Sequence, residues 1–474
     1  MRNSADILAL LRQVLLLGML LLTMPLFAEE QAEPAALPIH KECIDEPVFG
    51  QRACIYEANR EAAQTVVLVH GLNGQALRDW AQQIQPLAHH YHVLSFDLPG
   101  FGESDKGPGY YAPSSYARFI RFITERYAKR PFHLVGHSMG GAIALRYSAD
   151  NPDDVERLVL VDVAGVLHRM AYARMLAAAW AENQTVYGHS ISGFFNKMTY
   201  KLMTKVEGLT GLGNEYLARK LLEHELLDAD PQVIAAFTLA NEDLSDALTR
   251  IRGPVLMVWG EEDKVAPLRT AMALKARLPQ AKLVTLPGAA HSPMNEASDA
   301  FNRELLDFLQ GTEGVGMEAH VEETVPESGL EMPPQLPRQI ECRNQSDKVY
   351  EGSFERIVLH GCEGIVIRNA TIGSLQAKES RAVIENSRIG MEEGTGLTSV
   401  GSELTITATT LSGRVAIHAS RSRLDLAGVT LIGGEKAVSG DSGSSLIFSV
   451  SELRTLERSG SIHGYFEVDR NNPL

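Results

Sequence analysis

From about Gln64 to Gln310, short apolar runs alternate with stretches of helical character. The runs are TVVLVHG, HVLSFDLPG, FHLVGHS, VERLVLVDVAG, PVLMVWG and AKLVTLPG, rich in Val, Leu or Ile and mostly ending at Gly or Pro. A strand covered by helices on both faces has no solvated side, so it reads as a continuous apolar run. The stretches between them are long enough for crossover helices, GGAIALRYSADNP after FHLVGHS being one. This alternation predicts an α/β fold built on a parallel sheet. Between about 166 and 251 the strand signal stops and Ala, Leu, Met and Lys dominate, which predicts an inserted helical cap. In that cap Phe195, Met198, Leu202 and Val206 share one helical stripe, and Lys197, Lys201 and Lys205 share another. Two readings stay open: a helix with a solvated basic face, or one that meets acyl chains or an anionic membrane surface.

The pattern changes after residue 312. Glu313, Glu318, Glu322, Glu323, Glu327 and Glu331, with Pro326, Pro333, Pro334 and Pro337, predict an acidic, extended linker over 313–338. From 339 to 474 a degenerate repeat takes over. GIVIRNATIG, RAVIENSRIG, ELTITATTLSG and RLDLAGVTLIG align, with SSLIFSVSEL as a weaker fifth copy. Ile367, Ile384, Ile406, Leu426 and Phe448 then recur at a spacing of about 20 residues, and each copy joins an alternating apolar strand to a Gly-rich corner. One such copy cannot bury its apolar face alone, so the repeat predicts a short parallel β-helix, with a β-sandwich as the alternative. Asn369 and Asn386 occupy equivalent corners and are expected to form a side-chain ladder.

At the other end, Arg2 and Arg12 precede the uncharged run VLLLGMLLLTMPLF, which closes at Ala28 before Glu29 and Glu30. The run is short for a membrane span of ~20 residues. It predicts a signal peptide over 1–28 and an exported protein, periplasmic or secreted; left uncleaved, the segment would be an N-terminal membrane anchor. Export bears on the four cysteines, because Cys43 with Cys54 and Cys342 with Cys362 form two local pairs suited to disulfides. The alternative is four free thiols. Neither pair has metal-site spacing, so no structural zinc is expected. The chain is 474 residues long, 45% hydrophobic and 22% charged, with a formal net charge of −15. That is a globular composition, and its sign argues against a nucleic-acid partner, because phosphates need basic patches.

The strongest chemical signal is Gly136-His137-Ser138-Met139-Gly140-Gly141, placed between the strand-like FHLV and the helix-like GAIALRYSA. A serine hydroxyl is a weak nucleophile and needs both exposure and a base. A tight strand-to-helix turn supplies the exposure, flanking glycines tolerate it, and the helix N-terminus aims N–H groups at developing negative charge. His70-Gly71-Leu72-Asn73-Gly74 ends the first strand run, Gly260-Glu261-Glu262-Asp263 ends a later one, and His291 follows the last. Serine, then acid, then histidine is a recognised chain order for nucleophilic catalysis on an α/β sheet. Among the acids Glu261, Glu262 and Asp162 compete with Asp263.

With VLVHG, DLPGFGES, GHSMGG, WGEED and GAAHSP in this order, residues from about 45 to 310 resemble the α/β-hydrolase fold superfamily, in its esterase/lipase and C–C hydrolase-like branch. The resemblance implies Ser138 as nucleophile, His291 as general base and then acid, Asp263 as the group that orients the imidazole, and the backbone N–H groups of Leu72 and Met139 as the oxyanion hole. Relatives with an aspartate nucleophile are excluded by the serine. His70, His137, Trp80 and Trp259 read as structural, and the DLPGFGES loop as a turn near the pocket. No phosphate loop or dinucleotide fingerprint occurs, so no cofactor is expected. The organisation expected is a hydrolase domain over 29–312, a linker, and a β-helix-like domain over 339–474. The function expected is an exported serine hydrolase acting on a small-molecule or lipid ester. The alternatives are a C–C bond hydrolase or acyltransferase with the same residues, and a protein that binds glycan or the envelope surface through its C-terminal domain.

Overall fold

The computed structural model describes residues 36–172, 174, 230–311 and 339–474. The leader 1–28, the acidic stretch 313–338 and the 195–206 segment of the cap lie outside the described residues. Among the described residues no helix is long and apolar enough to cross a membrane. The chain divides into compact units at 1–37 and 38–474, and the account below concerns the second.

Eight strands form the first sheet: β1 (Ile39–Glu46), β2 (Gln51–Ala58), β3 (Thr65–Val69), β4 (His92–Phe96), β5 (Phe132–His137), β6 (Val155–Val161), β7 (Val255–Gly260) and β8 (Lys282–Leu286). Their order is β1-β2-β4-β3-β5-β6-β7-β8. The six apolar runs are β3 to β8, all mutually parallel, and β3, β4, β5 and β7 are buried along their whole length. The hairpin β1–β2 adds antiparallel to β4, and the Cys43–Cys54 disulfide joins directly opposed residues in it.

The helices follow from the crossover rule. The helices used below are α1 (Ala81–Ala88), α2 (Pro113–Tyr127), α3 (Met139–Asp150), α4 (Pro231–Ala240), α5 (Ser245–Arg250), α6 (Leu268–Arg277) and α7 (Ser298–Gln310). The chain steps one way from β3 to β4 and the other way from β4 through β8, so right-handed connections put α1 on one face and α2, α3 and α6 on the other. α7 packs on α1, and α2 on α3. α2 is typical in its cause: Pro113 starts it, and Tyr116, Phe119, Ile120 and Ile123 bury one face at helical spacing. α4 and α5 lie in the expected cap region, where residues 169–172 are also helical.

The second sheet, of twelve strands, is a parallel β-helix with one antiparallel strand, Ser459–Val468, added to Ser444–Thr455. Ile367, Ile384, Ile406, Leu426 and Phe448 are in direct register from coil to coil, all buried. Two further inward columns accompany this one, Phe354-Ile372-Ile389-Leu411-Leu431-Leu453 and Ile357-Leu375-Leu397-Ile417-Val438. At one corner Asn369, Asn386 and Ala408 take positive φ, and the Asn386 amide donates to Asn369 Oδ1 at 2.7 Å. At the other corner a buried hydroxyl ladder ties the coils: the N–H groups of Cys362, Ser380, Ser402 and Ser422 donate to the side-chain oxygens of Ser380, Ser402, Ser422 and Ser444. The ladder satisfies backbone donors that a tight corner leaves without a strand partner. The Cys342–Cys362 disulfide joins the first coils.

His133, in the middle of β5, is 1% exposed, and neither ring nitrogen has a protein partner. Burial, with a smaller effect from Arg157, pushes its pKa from the usual 6.5 down to about 4. The folded state therefore holds the neutral ring, while the unfolded chain takes up the proton below pH 6.5. This stability is full above pH 6.5 and drains away as the pH falls towards 4, by on the order of 3 kcal/mol in all. His133→Leu is expected to melt no lower than the wild type at pH 7.5 and clearly higher at pH 5, as thermal unfolding at the two pH values would register.

Candidate active site

Ser138 stands between β5 and α3 with φ 55° and ψ −117°, a strained conformation for a residue with a Cβ. Close packing enforces it. A Cβ on Gly136 would lie 2.3 Å from the Gly140 carbonyl oxygen, and one on Gly140 2.3 Å from that of Val69. Only glycines let the strand, the turn and the helix approach this closely. The Ser138 N–H donates to the Val161 carbonyl at 2.9 Å, and its own carbonyl accepts from Gly141 at 3.0 Å, so the turn is held at both sides of its strain.

The structure brings Ser138, His291 and Asp263 into one hydrogen-bonded chain. His291 Nδ1 lies 2.8 Å from Asp263 Oδ2, and His291 Nε2 lies 2.9 Å from Ser138 Oγ. A carboxylate beside Nδ1 selects the tautomer with its proton there, which leaves Nε2 to accept from the serine hydroxyl. Asp263 is 4% exposed, and its other oxygen accepts from the N–H groups of Val265 at 2.7 Å and Ala266 at 3.0 Å. The rival acids face elsewhere: Glu261 accepts from the Thr285 hydroxyl, and Glu262 is exposed.

Asp162 directly follows β6 and is fully buried, with φ 42°. Its Oδ1 accepts the Gly260 N–H at 3.0 Å, at the start of the turn that carries Asp263. Burial, then the neighbouring Asp263 carboxylate, pushes its carboxyl well above the usual range and favours the protonated form. His137 is also buried, and burial with the nearby His291 takes its pKa down to about 4. As a neutral ring it donates from Nε2 to the His291 carbonyl at 2.6 Å and packs 5.0 Å from the His291 ring. Burial thus disfavours charge on both Asp162 and His137 beside the His291–Asp263 pair. Ligand atoms of His137, Asp162 and His291 fall within 4.8 Å of one another, the one such cluster among the described residues. Both nitrogens of His291 are already engaged, by Asp263 and by Ser138.

His70 orients the strand-end loop. The Leu98 N–H donates to its Nε2 at 2.9 Å, which puts the proton on Nδ1, and Nδ1 then donates to the Gly71 carbonyl at 2.8 Å. The Gly74 N–H donates to the same carbonyl at 3.0 Å. A trans peptide is planar with C=O and N–H opposed, so pinning the Gly71 carbonyl turns the Leu72 N–H to the other side. A Cβ on Gly71 would be 3.1 Å from Ser138 Cβ, which places this peptide beside the serine. Met139 is the first residue of α3, where the N–H has no intrahelical acceptor. The DLPGFGES loop is tied by Asp97, whose carboxylate accepts from Ala76 N–H, Glu103 N–H and the Tyr56 hydroxyl. Trp80 and Trp259 are fully buried, and Trp259 Nε1 donates to the Ala266 carbonyl just after the acid turn.

Sequence comparison with known proteins agrees with this architecture. A family profile described as "Alpha/beta hydrolase family" matches residues 66–304. Lipase 1 of Psychrobacter immobilis is 29% identical over 253 residues, covering 53% of this chain and 78% of that one. A 2-hydroxy-6-oxononadienedioate/2-hydroxy-6-oxononatrienedioate hydrolase of Pseudomonas putida is 29% identical over 256 residues, covering 53% and 89%. A crystal structure of a hydrolase from Pseudomonas aeruginosa PA01 aligns with a TM-score of 0.42 at 22% identity, over 57% of this chain and 98% of that one.

Proposed function

We infer the function from one premise: the chain belongs to the alpha/beta hydrolase family. We propose that it cleaves carboxylic esters with Ser138 as nucleophile, His291 as general base and Asp263 as the acid that orients it. The observation that carries this reading is the pair of hydrogen bonds from Asp263 through His291 to Ser138, at 2.8 and 2.9 Å. Ser138 Oγ attacks the acyl carbon and its proton passes to His291 Nε2. The carbonyl oxygen takes up the electron pair against the N–H groups of Leu72 and Met139. Collapse of that intermediate expels the alcohol, which leaves with the proton from His291. Water then attacks the acyl-enzyme by the same route, releasing the acid and restoring Ser138. Burial favours the neutral forms of Asp162 and His137 beside the imidazolium that forms.

Two disulfides suit an oxidising compartment, and with the leader 1–28 they support export. A second reading, C–C bond hydrolysis, is favoured by the Pseudomonas putida relative, which is as similar as the lipase. p-Nitrophenyl esters of graded acyl length separate the two. Turnover with an optimum chain length supports the ester reading. Folded protein that leaves every ester intact yet consumes a 2-hydroxy-6-oxo dienoate would replace it with the second.

A further inference from the structure

The face of the β-helix that meets the hydrolase core is built around one helix. α6 presents Arg269, Ala273 and Arg277 at a spacing of four, which is a single helical face. Arg269 and Ala273 both meet the coil that carries Asp425 and Gly428, and Arg277 meets the next one. The Arg269 guanidinium forks onto the Asp425 carboxylate at 2.9 and 2.8 Å, while its Nε donates to Thr407 Oγ1 at 2.8 Å. Gly428 lies so close to Ala273 that a Cβ there would be 2.6 Å from the Ala273 Cα. Arg277 donates to Glu452 at 2.7 Å. Both ion pairs are largely buried, the Arg269 and Asp425 side chains being 14% and 12% exposed.

The two ends of α6 are not equivalent. Its first residue, Leu268, follows Pro267 directly, and the Val265 and Ala266 N–H groups just before it hold Asp263 Oδ1. Arg269 is in the first turn of α6, so the Asp425 fork fixes the end of the turn that aims the acid at His291. Arg277 closes α6 some 8 residues further on, about 12 Å away along the axis. The same last coil also braces the segment behind the serine: Ser449 Oγ accepts the His168 N–H at 2.8 Å, and Ala164 donates to the Ser138 carbonyl at 3.3 Å.

We propose that Asp425 and Thr407 of the β-helix are positioning residues for the hydrolytic reaction, acting through Arg269 on the turn that carries Asp263. This rests on the ester-hydrolase reading above and deepens it. The β-helix is then a fixed part of the active-site support, reaching across 156 residues of sequence. A buried bidentate pair is directional enough for that task, whereas an exposed one is not.

The test uses the full chain, with kcat counted per serine reactive towards a fluorophosphonate titrant, so that unfolded molecules drop out. Asp425→Asn and Arg269→Gln are expected to lower kcat at least about tenfold with KM within about twofold, as expected when a catalytic group is misaimed. Thr407→Val, which removes one hydrogen bond at nearly constant volume, is expected to act in the same direction more weakly, and serves if the other two fail to fold. Glu452→Gln at the far end of α6, and Arg414→Gln in an exposed β-helix pair, should leave kcat within about twofold. Equal losses for Asp425→Asn and Glu452→Gln would reduce the contact to docking and overturn the proposal, as would an unchanged kcat in all three clamp variants. A wild-type protein with no titratable serine and no ester turnover would instead remove the reading beneath it.

Discussion

Ser138→Ala is expected to lower kcat for ester cleavage by about 10⁵–10⁶-fold, since removing the nucleophile of a serine hydrolase costs nearly as much as removing all its partners. Its fold should survive. The 55° φ of residue 138 is imposed by glycine contacts and by hydrogen bonds of its backbone, none of which uses the hydroxyl. Substrate binding should also survive, because the proposed oxyanion donors are backbone groups. The measurement is kcat and KM on the best p-nitrophenyl ester, beside a melting curve. A variant that melts like the wild type and retains more than about a hundredth of its rate would assign the chemistry to another group.

Asp263→Asn is the second large effect, about 10⁴-fold in kcat at neutral pH. An amide at this position can donate to His291 Nδ1, which draws the ring into the tautomer with its proton on Nε2, where it can no longer accept from Ser138. The nearby Asp162 does not compensate: it is bonded to Gly260 N–H and favours its neutral form. The Asn side chain can still accept from Val265 and Ala266, so the turn keeps its shape and the loss falls on kcat. Stopped-flow acylation with the same ester would read it directly. A loss smaller than about tenfold would mean that another carboxylate, Asp162 first, orients the histidine.

Much of this arrangement was legible in the sequence because burial writes itself into composition. β3 to β8 are read from Val, Leu and Ile runs since both faces are covered. The register of the β-helix is read from Ile367, Ile384, Ile406, Leu426 and Phe448 since each coil must supply one inward apolar residue at that place. The hairpin β1–β2 left no such mark. IHKECIDE is an edge strand, exposed along most of its length, and its charges resemble those of a loop. The coil at Val349–His360 is exposed mainly in its first half, where the apolar alternation of the repeat is missing.

The site divides the same way. Glycines around Ser138, and an acid and a histidine at strand ends, are local signals with a mechanism behind each residue type. Asp263 is preferred to Asp162 through its place in the turn after the strand and through the resemblance, while residue type alone does not tell which one faces Nδ1 of His291. The clamp on α6 was invisible for a different reason: LRTAMALKAR is an ordinary amphipathic helix, and its partners Asp425 and Glu452 lie 156 and 175 residues away. The buried imidazole of His133 also has no pattern to announce it, since one polar residue in an apolar strand does not change the run.

The central claim is that the Ser138 hydroxyl is activated by its neighbours, and covalent labelling reads that property alone. The folded protein is treated with a fluorophosphonate, digested, and the adduct located by mass spectrometry. The expected result is a single stoichiometric adduct on Ser138, absent from Ser138→Ala and strongly slowed in Asp263→Asn. No adduct, or one on a different serine that persists in Ser138→Ala, would contradict the account.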